Sequence, residues 1–219
     1  MVGMTAPLRK DAALNRARLL TAARELFAAE GPGVSLNEVA HRAGVGVGTA
    51  YRRFANRQEL IEVLFEEALD DVEEIAREAL AEEDAWDGLV HFLERSLELQ
   101  FGDAGLNALM NDPALGAERA VQARTRIAPL LDELATAAKG QGRVRPDLEQ
   151  SDLVFLQDGL AAIMQRSRAV EPGLYRRYLT IFLDGVRADR SFTTLPVHAL
   201  DATRTHEATT SERAETDPA

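Results

Sequence analysis

The chain has 219 residues, 46% of them hydrophobic and 28% charged, with no cysteine and a formal net charge of −11. That length suits one large or two modest cores, the missing cysteines exclude a disulfide framework, and no apolar run is long enough to cross a bilayer as a helix. Lys10 and Asp11 interrupt the start before an apolar segment develops, so no secretory leader and no membrane partner are expected, and the expected location is cytoplasmic.

The first element expected is a helix over residues 15 to 30, with Leu19, Leu20, Ala23, Leu26 and Phe27 inward and Gly31-Pro32-Gly33 ending it. Residues 34 to 54 then read as two short helices about a glycine turn. Ser35 and Glu38 have the spacing of a capping box, in which each side chain satisfies an orphan backbone N–H of the helix start. Leu36, Val39, Ala40 and Ala43 form the stripe of that helix. Gly44 follows as a stop, because without a Cβ it turns left-handed at no steric cost. Val45 buries in the turn, and a second helix of about two turns carries Ala50 and Phe54 inward.

The outer face of this second helix holds Val47, Thr49, Tyr51, Arg52 and Arg53, with Arg57 just beyond. A helix-turn-helix lays such a face in the major groove of double-stranded DNA, and arginine forks, a hydroxyl and a phenol suit that task. Thr49 and Arg52 are expected at base edges; Tyr51, Arg53, Arg57 and Ser35 are expected on phosphate. Gly44-Val45-Gly46-Val47-Gly48 is not a dinucleotide fingerprint, since a capped helix precedes it and Thr49 occupies the sixth position.

The net charge fits once divided along the chain. Residues 1 to 60 carry nine basic and five acidic groups, a local balance of +4, which leaves −15 for the remainder. Phosphate attraction is screened over about 8 Å in physiological salt, so the local balance governs DNA binding.

In order and spacing the motif resembles the TetR family of one-component transcriptional regulators. The residues carrying the likeness are Phe27-Ala28-Ala29-Glu30-Gly31, Ser35, Val39-Ala40-His41-Arg42-Ala43-Gly44-Val45, Gly48-Thr49, Tyr51-Arg52-Arg53-Phe54 and Arg57-Gln58-Glu59-Leu60. The likeness covers roughly residues 12 to 65. It implies an all-α protein with an N-terminal three-helix DNA-binding domain and a C-terminal helical domain for ligand binding and dimerisation. The domains expected are 1–60, 61–188 and a tail, 189–219, without fixed structure. The function implied is a homodimeric repressor of a palindromic operator, released by a small-molecule effector and using no cofactor.

Beyond the motif, a long helix is expected from Arg57 to about Glu83 as the link between the domains, followed by one over residues 85 to 101. Gly102 to Gly116 is interrupted by glycines and Pro113. A helix from about Glu118 to Lys139 contains Pro129, a source of kinking. A turn at Gly140–Asp147 leads to helices over 149 to 169 and 173 to 188. Their main stripes include Leu153, Leu160, Tyr175, Tyr178, Leu179 and Phe182, and each helix has a second row (Val154, Ala161, Ala162; Leu174, Ile181, Gly185). The family resemblance implies that this pair builds the dimer interface, with the main stripes as its candidate residues. The tail from Arg190 has little apolar content and no period.

The resemblance also places an effector pocket among the middle helices, with Trp86, His91, Phe92, Phe101, Met110, Phe155, Gln157 and Met164 as candidates. Taken singly, each reads as core; as a group they fit a mostly apolar site. His91 and Glu94, one turn apart, lack a third ligand at metal spacing, so no metal is expected. No nucleophile-base constellation stands out, and no enzyme activity is expected. Two rival readings are a helical protein-interaction module, or an activator without ligand response, and a small all-α enzyme.

Overall fold

The computed structural model describes residues 6–31, 33–102, 116–189, 193–201, 203–205 and 208, the side chains of 6–10, 101, 116–120, 123 and 124 excepted. Among them the chain is helical, without a strand. In chain order the helices are α1 (Ala6–Glu30), α2 (Leu36–Arg42), α3 (Val47–Arg53), α4 (Arg57–Leu80), α5 (Ala85–Gly102), α6 (Gly116–Gly140), α7 (Gln150–Ser167) and α8 (Leu174–Val186). They form two compact units that divide within α4. The described part of the first runs through Ala68 and includes Gly102, and the second takes Leu69–Phe101 and the described residues from Gly116 onward.

In the first unit α1 begins nine residues before the expected start. Its sequence from Leu8 to Glu30 contains no glycine or proline, and Pro7 stands in the first turn, where the missing N–H costs nothing. Leu19, Ala23 and Phe27 of α1 are buried with Leu36, Val39 and Ala40 of α2, Ala50 of α3, and Leu60, Ile61 and Leu64 of α4. The turns follow from local chemistry. Gly31 ends α1 at φ +79° and Gly44 ends α2 at φ +63°, a region that side chains with a Cβ rarely enter. Each fully buried Leu or Phe contributes about 1.5–3 kcal/mol, so this small core suffices to hold two seven-residue helices that would not persist alone.

The second unit packs α5 to α8 and the later turns of α4 around Leu89, Phe92, Leu93 and Leu97 of α5, Leu131 and Leu134 of α6, and Leu153, Leu160 and Met164 of α7. α4 and α5 approach closely at Gly88, where a Cβ would lie 2.4 Å from the Ala79 carbonyl oxygen. α6 continues through Pro129. The turn after α6 is stapled to the start of α5. The Gln141 carboxamide oxygen accepts from Ala85 N–H at 3.0 Å, its amide donates to the Glu83 carbonyl at 3.1 Å, and Arg143 pairs with Asp84 at 2.5 Å. An isolated antiparallel bridge joins Val144 to Arg187. In the segment expected to lack structure, the Thr193 carbonyl accepts from Arg145 at 3.0 Å, Asp201 accepts from the Arg204 N–H at 2.9 Å, and Thr205 is buried.

Arg126 of α6 ties that helix to α4. Its Nε donates to Glu73 at 2.9 Å and its Nη2 donates to Asp70 at 2.6 Å. The hydrogen bond from Arg126 holds the Glu73 carboxyl below its ordinary range, and the two carboxylates raise the guanidinium in turn. A carboxylate depressed in the folded state adds stability that is complete above its unfolded value, about 4.3, and is lost as pH falls through the lower folded value. Glu73→Gln is therefore expected to lower the urea midpoint near pH 7, and the gap from the parent chain should close as pH drops from about 5 toward 3. A gap that stays constant over that range would show that the ionised pair adds no stability.

Candidate nucleic-acid interface

The unit built by α1 to α4 presents α3 outward because its inner face is used up. Ala50 and Phe54 lie i, i+4 on one side, both buried. The opposite side is then solvated: Val47 is 46% and Tyr51 47% exposed, Arg52 and Arg53 are exposed, and Thr49 is half-buried. Val47 and Tyr51, one turn apart, share this face with two guanidinium groups.

Ser35 caps α2 as expected. Its hydroxyl accepts from the Glu38 N–H at 3.3 Å and donates to the Glu38 carboxylate at 2.6 Å, while the Ser35 N–H donates to that carboxylate at 2.8 Å. Hydrogen bonds from the serine hydroxyl and then its backbone hold the Glu38 carboxyl low. Ser35 is exposed, but its hydroxyl is already engaged. A second cap starts α4: Asn56 accepts from the Glu59 N–H at 2.9 Å, and Glu59 accepts from the N–H of Ala55, one residue earlier than in the Ser35 box, at 2.5 Å. Asn56-Arg57-Gln58-Glu59 carried the signal, and the cap follows α3 directly, placing half-buried Arg57 in the first turn of α4.

The arginines of this unit have different partners. Arg16 and Arg24 of α1 pair with Glu67 at 2.9 and 3.2 Å, and Arg42 of α2 pairs with Glu25 at 2.9 Å. Arg52 instead donates to the Thr49 hydroxyl at 2.8 Å. The positive charge of the α3 face is thus kept clear of a carboxylate at the position expected to read bases.

In the second unit the candidates separate. Phe92 and Met164 are core residues, 0% and 4% exposed, and half-buried Trp86 packs against the same cluster with the Arg187 guanidinium 4.2 Å above its ring. Gln157 donates to the Ser96 hydroxyl at 2.7 Å, joining α7 to α5. His91 lies between Glu78 of α4, 3.5 Å from its Nε2, and Glu82 just past the end of α4, 3.7 Å from its Nδ1. Among the described residues no group of three His, Cys, Asp or Glu is placed to hold a metal ion. Phe155, expected in the pocket wall, is 39% exposed. It follows Leu153 by two residues, about 200° around a helix whose inner face is Leu153, Leu160 and Met164. Met110 and the Phe101 side chain lie outside the described residues.

The interface candidates need a larger correction. Leu153, Leu160, Tyr175 and Leu179 are 0 to 4% exposed in the chain by itself, so they form the core of the second unit and not an open face. Half-buried Phe182 packs against the same cluster, and Tyr178 alone of the six is open, at 44%. The outward rows are Phe155, Gly159 and Ala162 on α7, at i, i+4, i+7, and Tyr178, Ile181 and Gly185 on α8, at i, i+3, i+7, all exposed.

A capped helix, a glycine turn and a second helix whose outer face is basic and hydroxylated define a DNA-binding transcription regulator. Comparison with known proteins agrees along both units. Residues 19–64 match the model of bacterial regulatory proteins of the tetR family, and residues 84–188 match the C-terminal domain of SbtR-like transcriptional regulators. The fold is similar to the TetR transcription regulatory protein of Mycobacterium vanbaalenii, 32% identical with a TM-score of 0.59 over 83% of this chain and 99% of that one. It is also similar to a TetR transcriptional regulator of Streptomyces coelicolor, 28% identical with a TM-score of 0.60 over 80% and 99%. An HTH-type transcriptional regulator of Staphylococcus aureus strain USA300 is 39% identical over 64 residues, 29% of this chain and 35% of that relative's length. The chain belongs to the TetR family of transcriptional regulators. No described helix is long and apolar enough to cross a membrane.

Proposed function

We propose that this regulator is a homodimeric repressor that binds a palindromic operator through two copies of α3 and leaves it when a small molecule occupies the second unit. The observation that carries the DNA-reading half is the outward face of α3, with Val47, Thr49, Tyr51, Arg52 and Arg53 solvated above buried Ala50 and Phe54. A twofold dimer would set two such faces on one side of the duplex, which is why a palindrome is the matching target. The outward rows of α7 and α8 support dimerisation. Glycine and alanine allow close helix approach, and Tyr178 and Ile181 supply area to bury. Half-buried Trp86, His91 and Gln157 border an otherwise apolar core, which favours a mostly apolar effector with few polar groups.

Release needs only that the effector bind the DNA-incompetent conformation better, and couplings of about 1–3 kcal/mol are usual. Selection of duplexes from a random pool by the full chain tests the reading. Recovered sites should be inverted repeats whose half-site centres lie about one helical turn or a multiple apart. Recovery of single half-sites, or of no consensus, would overturn the dimeric operator.

A further inference from the structure

Arg52 is held by one hydrogen bond: its Nη2 donates to the Thr49 hydroxyl at 2.8 Å. Its Nη1 lies 3.8 Å from where a Cβ on Gly48 would stand, so the guanidinium lies beside that residue. Helical side chains lean toward the N-terminus, so a residue at i+3 reaches back over the preceding turn. The guanidinium of Arg52 is thereby brought over residues 48 and 49. Unlike Arg16, Arg24 and Arg42, it meets a neutral oxygen, and among the described residues no carboxylate pairs with it.

We propose that Thr49 and Arg52 act as one hydrogen-bonded couple that reads a guanine in each half-site, Arg52 making the base contact and Thr49 serving as its positioning residue. This rests on the DNA-reading function proposed above. Guanine is the base that the chemistry selects: its N7 and O6 are two adjacent acceptors in the major groove, matched by two parallel N–H groups of a guanidinium. Thr49 takes only one hydrogen of Nη2. Whichever it takes, one edge of the fork keeps both its hydrogens. An arginine fixed before it meets DNA loses less rotamer freedom on binding, so discrimination is sharper than from a loose side chain. Accepting from Arg52 also leaves the Thr49 O–H hydrogen available to a base or phosphate oxygen.

The test uses the full chain, the duplex selected from a random pool, and the same duplex with each guanine replaced in turn by adenine or by 7-deazaguanine, which lacks N7. At one position per half-site the parent chain should lose about 10-fold or more in affinity on either replacement. Arg52→Ala should erase that loss at this position alone. Thr49→Val, of nearly the same shape but without the hydroxyl, should bring discrimination there to within a few fold, and its salt slope should match that of the parent because no charge is altered. Thr49→Ser should restore discrimination, which a merely structural role for the residue would not require. Guanine discrimination that survives in Thr49→Val, or that Thr49→Ser does not restore, overturns the couple while the DNA-reading function stands. A parent chain without sequence-selective binding overturns that function and the couple with it.

Discussion

Ile181→Asp is expected to leave a folded chain that no longer assembles or holds an operator. Ile181 is 56% exposed in the single subunit, so an aspartate there meets water and costs the fold little. If the rows of α7 and α8 face their twofold copies, the same aspartate becomes a buried charge opposite its symmetry mate, a penalty of several kcal/mol. A monomer engages one half-site and forfeits the advantage of linked binding, which is about 100- to 10,000-fold in affinity. Sedimentation of the variant at micromolar concentration, with helicity and thermal midpoint measured alongside, checks the claim. Persistence of the parent oligomer would move the interface off these rows. Leu179→Asp offers the contrast, because Leu179 is 4% exposed and a charge there should unfold the second unit itself.

Phe54→Ala should have the other large effect, confined to the first unit. Phe54 is 2% exposed, closes α3 from below and accompanies Phe27 among the largest buried side chains of that unit. Its truncation is expected to cost about 3–5 kcal/mol, a large share of what a small helical domain has to spare. Operator binding should fail at a temperature where the second unit is still folded, seen as loss of amide-exchange protection in α2 and α3 with protection in α5 and α7 retained. Full operator affinity in this variant would mean that the position of α3 does not depend on the packing beneath it.

These expectations depend on parts of the molecule that were unequally legible in the sequence. The helix-turn-helix could be read residue by residue because its determinants are local: a serine three residues before a glutamate, a glycine at the only backbone angle that ends α2 there, and apolar residues four apart. Asn56 and Glu59 have the same three-residue spacing, and that cap too is a local signal in the sequence. In the second unit the stripes of α7 and α8 were visible, but the choice between them was not. Leu153 and Leu160 form one row and Phe155 and Ala162 another, with comparable apolar content. A helix of such composition can turn either face inward until its neighbours are placed.

By itself the sequence determined that the protein is all-α, where most of its helices lie, and that one short helix would present threonine, tyrosine and arginines outward. Each of those features follows from interactions between residues a few positions apart, which any chain with this order must make. The tertiary structure alone decided which row of α7 and α8 closes the core, that His91 lies between Glu78 and Glu82, and that Gln157 meets Ser96. It also decided that Arg126 grips Asp70 and Glu73 from a helix more than fifty residues away. Such contacts join segments whose separation along the chain carries no period or spacing to read, and they form only where packing, by excluding water from one face, makes the other the surface.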